Sequence, residues 1–283
     1  MIDLSPTSIR HSFDRAAADY DEAAVLQRTV ADELVSRFQW LRIAPATVLD
    51  VGTGTGYALP ALRQHFRHSR IWACDISPGM VKRATSRRGF WRPVLLWASD
   101  GQTLPLPAGS VDCLYSNLAI QWMDPVRAFA EFRRVLRPHG VLMFSTFGPD
   151  TLTELRAAWA QVDDRPHVHN FVDMHDLGDL LLAAGFADPV LDVERYTLTY
   201  DAPGKALRDL KRIGAHNAHQ ARFAGLTGKA RYRRFIDSYE TFRRDGRLPL
   251  TYEVVYGQAW VGASGAPGPA VRSGRPTIPI KPL

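Results

Sequence analysis

Two cysteines in 283 residues, Cys74 and Cys113, leave no material for a disulfide framework or a cysteine-based zinc site. Both sit in apolar runs, where a free thiol behaves as a small buried hydrophobe, and a reducing cytoplasm is the expected setting. Long hydrophobic stretches are missing as well. The best run, Leu180 to Phe186, falls far short of the roughly 18 apolar residues that span a bilayer, so no membrane segment is expected. The first residues carry Asp3, Arg10 and Asp14 with no apolar core, which is not the pattern of a secretory leader. There is no internal repeat. Residues 263–283 hold eight Gly or Pro in 21 positions, almost without apolar patterning, and read as a disordered tail.

What remains is an ordinary globular composition, 46% hydrophobic and 23% charged, able to bury a sizeable core. The net charge of +6 is uneven. Lys205 to Arg247 holds twelve Lys or Arg against four acidic residues, a net of +8 that leaves −2 elsewhere. The basic character therefore reads as belonging to one segment, suited to an acidic partner.

Thr7 to Trp40 shows helical spacing, with Ile9, Phe13, Ala16, Ala17 and Tyr20 on one face. Continuous apolar runs then alternate with helical stretches. Thr47–Val51, Ile71–Cys74, Val94–Trp97, Val111–Ser116 and Val141–Phe147 look like strands buried on both faces of a parallel sheet. Crossover helices are expected over Tyr57–Phe66, Pro78–Ser86 and Pro125–Leu136, which makes this part a doubly wound α/β domain. Helices Asp150–Val162 and Asp173–Ala184 and a strand Val190–Tyr200 follow. Two basic helices, Pro203–Ala215 and Gly228–Arg244, then precede a last antiparallel strand, Thr251–Val261. The division is an N-terminal helical segment 1–40, a core of 41–202 and 251–262, a basic helical insert 203–250, and the tail.

Val48-Leu49-Asp50-Val51-Gly52-Thr53-Gly54-Thr55-Gly56 runs a strand into a glycine-rich turn and a helix, a place where backbone approaches a ligand. It is not the dinucleotide fingerprint, because Gly-x-Gly-x-x-Gly counted from Gly52 ends on Tyr57 and counted from Gly54 ends on Leu59. Asp50, just before the turn, suits an ammonium or sulfonium better than a pyrophosphate.

This pattern resembles the first motif of the Rossmann-like S-adenosylmethionine-dependent methyltransferases. The resemblance implies a mostly parallel seven-stranded sheet with helices on both faces. It also implies that Asp75, 19 residues after Gly56, grips the ribose hydroxyls with Ile76 beside it. Asp100, followed by Gly101, matches the acidic residue that contacts the adenine amine, and Asn117 would line the methionine end and the substrate entrance. Further strings narrow the likeness: Phe13-Asp14-Arg15-Ala16-Ala17 with Tyr20-Asp21, Asn117 to Trp122, Phe144 to Leu152, Asn170 to Asp179, Gly214 to Ala218 and Leu248 to Val254. Over roughly residues 8 to 260 the chain is similar to the malonyl-acyl-carrier-protein O-methyltransferases of biotin biosynthesis.

Such a family implies S-adenosylmethionine as methyl donor and the free carboxylate of a malonyl thioester as acceptor. Malonyl-acyl-carrier protein is the expected partner, and malonyl-coenzyme A a second candidate. A carboxylic acid is ionised far above its pKa of about 4, so no general base is needed. Aromatic walls with modest hydrogen bonds are expected near the methyl, with Tyr20 on an N-terminal lid, Trp122 and Phe171 as candidates. Arg208, Lys211, Arg212, Arg231, Arg233 and Arg234 in the basic insert, here a cap, are candidates for docking the acidic carrier. His167, His169 and His175, and His216 with His219, lack a completing carboxylate or cysteine set, so no metal is expected. No nucleic-acid partner is expected either. The alternatives are a methyltransferase acting on RNA or a quinone-type small molecule, and a non-catalytic S-adenosylmethionine-binding protein.

Overall fold

The computed structural model describes residues 5–213 and 228–263. The string Gly214 to Ala218, His216, His219 and nearly all of the expected tail lie outside the described residues.

The N-terminal helices are α1 (Pro6–Ala16), the single turn α2 (Tyr20–Ala23) and α3 (Val25–Ser36). The sheet and its crossovers follow as β1 (Thr47–Val51), α4 (Leu59–His65), β2 (Arg70–Asp75), α5 (Pro78–Ala84), β3 (Leu95–Ala98), β4 (Val111–Asn117), α6 (Pro125–Val135) and β5 (Leu136–Phe147). Then come α7 (Thr153–Ala160), α8 (Met174–Ala183), β6 (Phe186–Tyr200), α9 (Pro203–Arg212), α10 (Lys229–Glu240) and β7 (Leu248–Val261). Three helices start at a polar cap followed by proline, which fixes φ where no amide donor is needed. Ser5 Oγ accepts from Ser8 N at 3.3 Å, Ser77 Oγ from Met80 N at 3.1 Å, and Asp124 Oδ1 from Val126 N at 2.9 Å.

The seven strands are ordered β3-β2-β1-β4-β5-β7-β6. β1 pairs in parallel with both β2 and β4, and β7 inserts antiparallel between β5 and β6. Two cores result, one on each face. Leu34, Phe38, Val48, Leu62, Tyr115 and Tyr252 pack on one side, and Leu49, Phe129, Phe132, Leu142, Phe144 and Leu181 on the other. This is the doubly wound fold expected. The expectation of double burial needs correction for Val94–Trp97. As the edge strand β3, with a neighbour on one side only, it leaves Leu95 57% exposed and Leu96 and Trp97 half-buried. β6, the other edge, is buried only at Phe186 and otherwise alternates half-buried and exposed positions.

The strand order reverses between β1 and β4, the topological switch point at whose carboxyl ends α/β sheets bind ligands. Side chains alternate along β1, so Val48 and Asp50 share the face covered by α3 while Leu49 and Val51 face α6.

Candidate active site

After Val51 the chain turns through Gly52, Gly54 and Gly56 with φ of 78°, 56° and 78°. Gly52 N and Thr53 N both donate to Cys74 O, at 2.9 and 3.0 Å, binding the turn to β2. Gly54 N donates to Asp75 Oδ2 and Ser77 N to Asp75 Oδ1, each at 2.9 Å. Gly56 serves packing: a Cβ there would lie 2.9 Å from both Ala84 Cβ and Leu59 Cδ1, between α4 and α5. Gly101 is required by close approach too, with Val51 Cγ1 and Met123 Cε each 2.8 Å from its missing Cβ.

A cleft of about 670 Å³ opens over this turn, lined by Gly52, Gly54, Asp75, Ile76, Asp100, Gly101 and Asn117. A side pocket of about 460 Å³ adds Asp50 and shares Gly52, Gly54 and Asn117. Of the nine residues assigned to the donor from sequence, Gly56 alone lines neither cavity. Asn117 is held at both ends, Nδ2 donating to Gln27 O at 3.1 Å and Oδ1 accepting from Ser145 Oγ at 2.8 Å. Asp100 Oδ1 accepts from Gln102 N at 2.9 Å, which fixes its side chain at the cleft floor.

Two buried carboxylates give the cleft its electrostatic character. Burial pushes Asp50 up to about 7, with Asp75 nearby adding to it and Thr53 opposing it. Burial likewise pushes Asp75 up to about 6 against the two amide hydrogen bonds it accepts. Such groups fit a ligand bringing hydroxyl donors and positive charge, which favours their ionised forms. A ligand of that kind binds only after the protonated carboxyls release their protons. Its affinity therefore rises with pH up to about 7, one proton being released between about pH 6 and 7 and two below. Calorimetry of S-adenosylhomocysteine binding from about pH 5 to about pH 8 checks this, and Asp50→Asn should remove the upper inflection.

Beside the cleft lies a larger chamber of about 1200 Å³ with walls from Phe147, Leu155, Trp159, Phe171, Leu207 and Tyr252. Tyr20 borders the cleft, the side pocket and this chamber; Phe13 and Trp122 border the cleft and the chamber. Phe13 meets Trp122 edge-on at 5.5 Å between ring centroids. His169 stacks on Trp122 at 6.4 Å and meets Phe171 at 5.2 Å, and Phe171 meets Phe147 at 5.5 Å. The Tyr20 hydroxyl is held protonated by burial and by the neighbouring Asp75 and Asp21 carboxylates. Lys211 is the one Lys or Arg among the described lining residues of the chamber.

The three aromatic candidates thus converge on one space. Sequence reasoning missed the rest of the chamber wall, because Trp159, Leu207 and Tyr252 come from α7, α9 and β7 and meet only in the fold. Of the cap cations, Arg212 pairs with Glu22 and Arg231 with Asp163, whereas Arg208, Lys211, Arg233 and Arg234 are exposed. The basic character is not confined to the cap segment. Between Thr55 and Ser99 eight Lys or Arg stand against Asp75 alone, and Asp75 is buried, so the remainder of −2 conceals a second basic face. Phe90 and Trp91 project from that face, 88% and 80% exposed. Among the described residues no metal-binding group of His, Cys, Asp or Glu occurs; His167 and His175 bond Asp163 and Asp173, each at 2.8 Å. No helix among them is long and apolar enough to cross a membrane.

A family model described as a methyltransferase domain matches residues 49–144, the stretch from β1 to β5. Among solved structures, the YcgJ protein of Bacillus subtilis superposes with a TM-score of 0.57 at 17% identity, covering 82% of this chain and 98% of that one. A phosphoethanolamine N-methyltransferase of Haemonchus contortus superposes with a TM-score of 0.54 at 17% identity, over 88% and 57%. The fold is that of a Rossmann-like methyltransferase. Within that class the likeness extends through the cap: the malonyl-[acyl-carrier protein] O-methyltransferase of Laribacter hongkongensis is 49% identical over 97% of this chain and 95% of its own. That of a Methylovorus species is 50% identical over 91% and 89%. The chain belongs to the malonyl-[acyl-carrier protein] O-methyltransferase family.

Proposed function

We propose that this protein transfers the methyl group of S-adenosylmethionine to the free carboxylate of malonyl-acyl-carrier protein, forming the malonyl methyl ester used in biotin synthesis. The observation that carries the reading is the placement of Tyr20, at the junction of a carboxylate-lined cleft and an aromatic-walled chamber. In this reading Asp75 holds the ribose hydroxyls, Asp100 the adenine amine, and Asp50 with Asn117 the methionine end. The bound donor supplies an electrophilic methyl on a sulfonium. A carboxylate oxygen forms the new bond to the methyl carbon as the carbon–sulfur bond breaks, and its electron pair stays on sulfur.

One negative and one positive charge vanish together, so surroundings of low polarity favour the transition state over the separated ions. The aromatic wall provides such surroundings, and the neutral Tyr20 hydroxyl can orient the carboxylate without overstabilising it. Alignment is the main catalytic resource, worth up to about 7 to 11 kcal/mol in well-oriented systems. Lys211, exposed at the chamber and carried by the cap, suits the anionic arm of a carrier.

The test is incubation with labelled S-adenosylmethionine and malonyl-carrier or malonyl-coenzyme A, with succinyl-carrier as control. Mass spectrometry should find one methyl gained on the malonyl-carrier, and no gain overturns the reading. Docking through the cap predicts that the KM for the carrier rises several-fold in Arg233→Glu and Arg234→Glu and climbs with salt. Arg88→Glu on the second basic face should leave it unchanged; the opposite pattern moves the docking site there.

A further inference from the structure

We propose that Asp21, Arg87 and Thr55 form a latch coupling the donor-binding glycine turn to the placement of Tyr20, which makes Asp21 and Arg87 positioning residues for methyl transfer. The inference rests on the donor reading above.

α2 is a single turn whose N-cap, Asp19, makes no capping bond with its side chain, and so short a helix does not hold itself in water. Its placement must come from outside. Asp21 Oδ1 accepts from Thr55 Oγ1 at 2.5 Å and Oδ2 from Arg87 Nη2 at 2.7 Å. Arg87 Nη1 closes the triangle on Thr55, donating to its carbonyl at 3.0 Å and its hydroxyl oxygen at 2.9 Å. Thr55 is buried and stands between Gly54 and Gly56, so any shift of the turn reaches Asp21 directly. Burial works against the Asp21 charge, yet Thr55 and Arg87 hold its carboxyl below the ordinary value, so the latch stays ionised near neutral pH.

Three consecutive residues thus address three parts of the site. Tyr20 borders the cavities, Asp21 grips the glycine turn, and Glu22 pairs with Arg212 of the cap helix α9. Arg87 follows α5, whose first turn is itself bound by the lid: Gly79 N donates to Asp14 Oδ1 at 2.9 Å. Seating the donor on Gly52 and Gly54 and seating Tyr20 over it therefore draw on one network, and whatever steadies either end steadies the other.

The test uses the full chain with Arg87→Met, Asp21→Asn, the double variant and Arg87→Lys. Charge-assisted hydrogen bonds of this kind predict a fall in kcat of about tenfold or more for Arg87→Met, partial recovery in Arg87→Lys, and little further loss in the double variant. S-adenosylhomocysteine should protect Arg15, exposed on α1, from trypsin in the wild type and fail to do so in Arg87→Met, although calorimetry still records its binding. Unchanged kcat and protection in a folded variant, or fully additive losses, overturn the latch alone. If the wild type takes up no S-adenosylhomocysteine, the donor reading falls and the latch with it. Should Arg87→Met melt below the assay temperature, Asp21→Asn, whose Oδ1 can still accept from Thr55 but whose amide NH2 replaces the oxygen that accepts from Arg87, breaks the latch from the other side and decides by the same two measurements.

Discussion

Tyr20→Ala loses about a hundredfold or more in turnover, the scale of removing a positioned hydrogen-bond donor together with the ring that closes a site. Tyr20 is the described residue that borders all three cavities, so in the proposed reaction its ring would stand between donor and acceptor. Its hydroxyl, kept protonated by burial beside Asp75 and Asp21, is a neutral donor within a largely apolar wall. A guanidinium in its place would hold the carboxylate more tightly in the ground state than in the partly neutralised transition state and would slow the reaction. Tyr20→Phe separates the two contributions. It keeps the ring and should lose about tenfold, the value of one oriented hydrogen bond. Single-turnover methyl transfer reads the loss, and calorimetry with S-adenosylhomocysteine should find donor affinity within a few-fold for the phenylalanine variant. Wild-type turnover in the alanine variant removes Tyr20 from the site.

That the proposed donor residues would gather at one cleft was legible in the sequence because they are local to strand ends. Asp50 stands near the end of one strand with the glycine turn after it, Asp75 ends the next, Asp100 follows the third and Asn117 ends the fourth, and a parallel sheet brings successive carboxyl ends to one rim. The same rule placed the crossover helices, whose polar cap and proline starts are visible as Ser77-Pro78 and Asp124-Pro125. The chamber beside the cleft was only partly legible. Trp122, Phe171 and Tyr252 stand in recognisable strings and Lys211 in the basic insert, but that these elements meet one another and Trp159 and Leu207 around one space is a tertiary fact. Charge was the least legible property. A sum over the remainder of the chain cancelled the cations of residues 55–99 against carboxylates elsewhere, such as the six of residues 173–194, a stretch with no Lys or Arg. Those two segments lead into opposite edges of the sheet, β3 and β6, so a single sum over both hides two local charges of opposite sign.

Gly52→Ala and Gly54→Ala, two positions apart, should fail in different ways. At Gly52 an added Cβ would lie 2.3 Å from Ala119 Cβ, with φ at 78°, so the loop after β4 must shift and the backbone is strained as well. Strain of about 1–2 kcal/mol and overpacking of about 1–3 kcal/mol together predict a melting temperature lower by roughly 5–15 °C. Donor binding should be lost with it, since the same displacement moves the amides that anchor the turn to Cys74. At Gly54, φ is 56° but no atom lies within 4 Å of the added Cβ, and the open space beside it is the donor cavity. Only the strain of about 1–2 kcal/mol bears on the fold, so the melting temperature should move by a few degrees. The methyl group and the disturbed amide bond to Asp75 instead act on the ligand, and affinity for S-adenosylhomocysteine should fall about tenfold or more. Thermal melts and calorimetry on both variants separate the effects. Full donor affinity in Gly54→Ala would show that the turn supports the fold without touching a ligand, and would detach the donor from the place where every cofactor assignment above puts it.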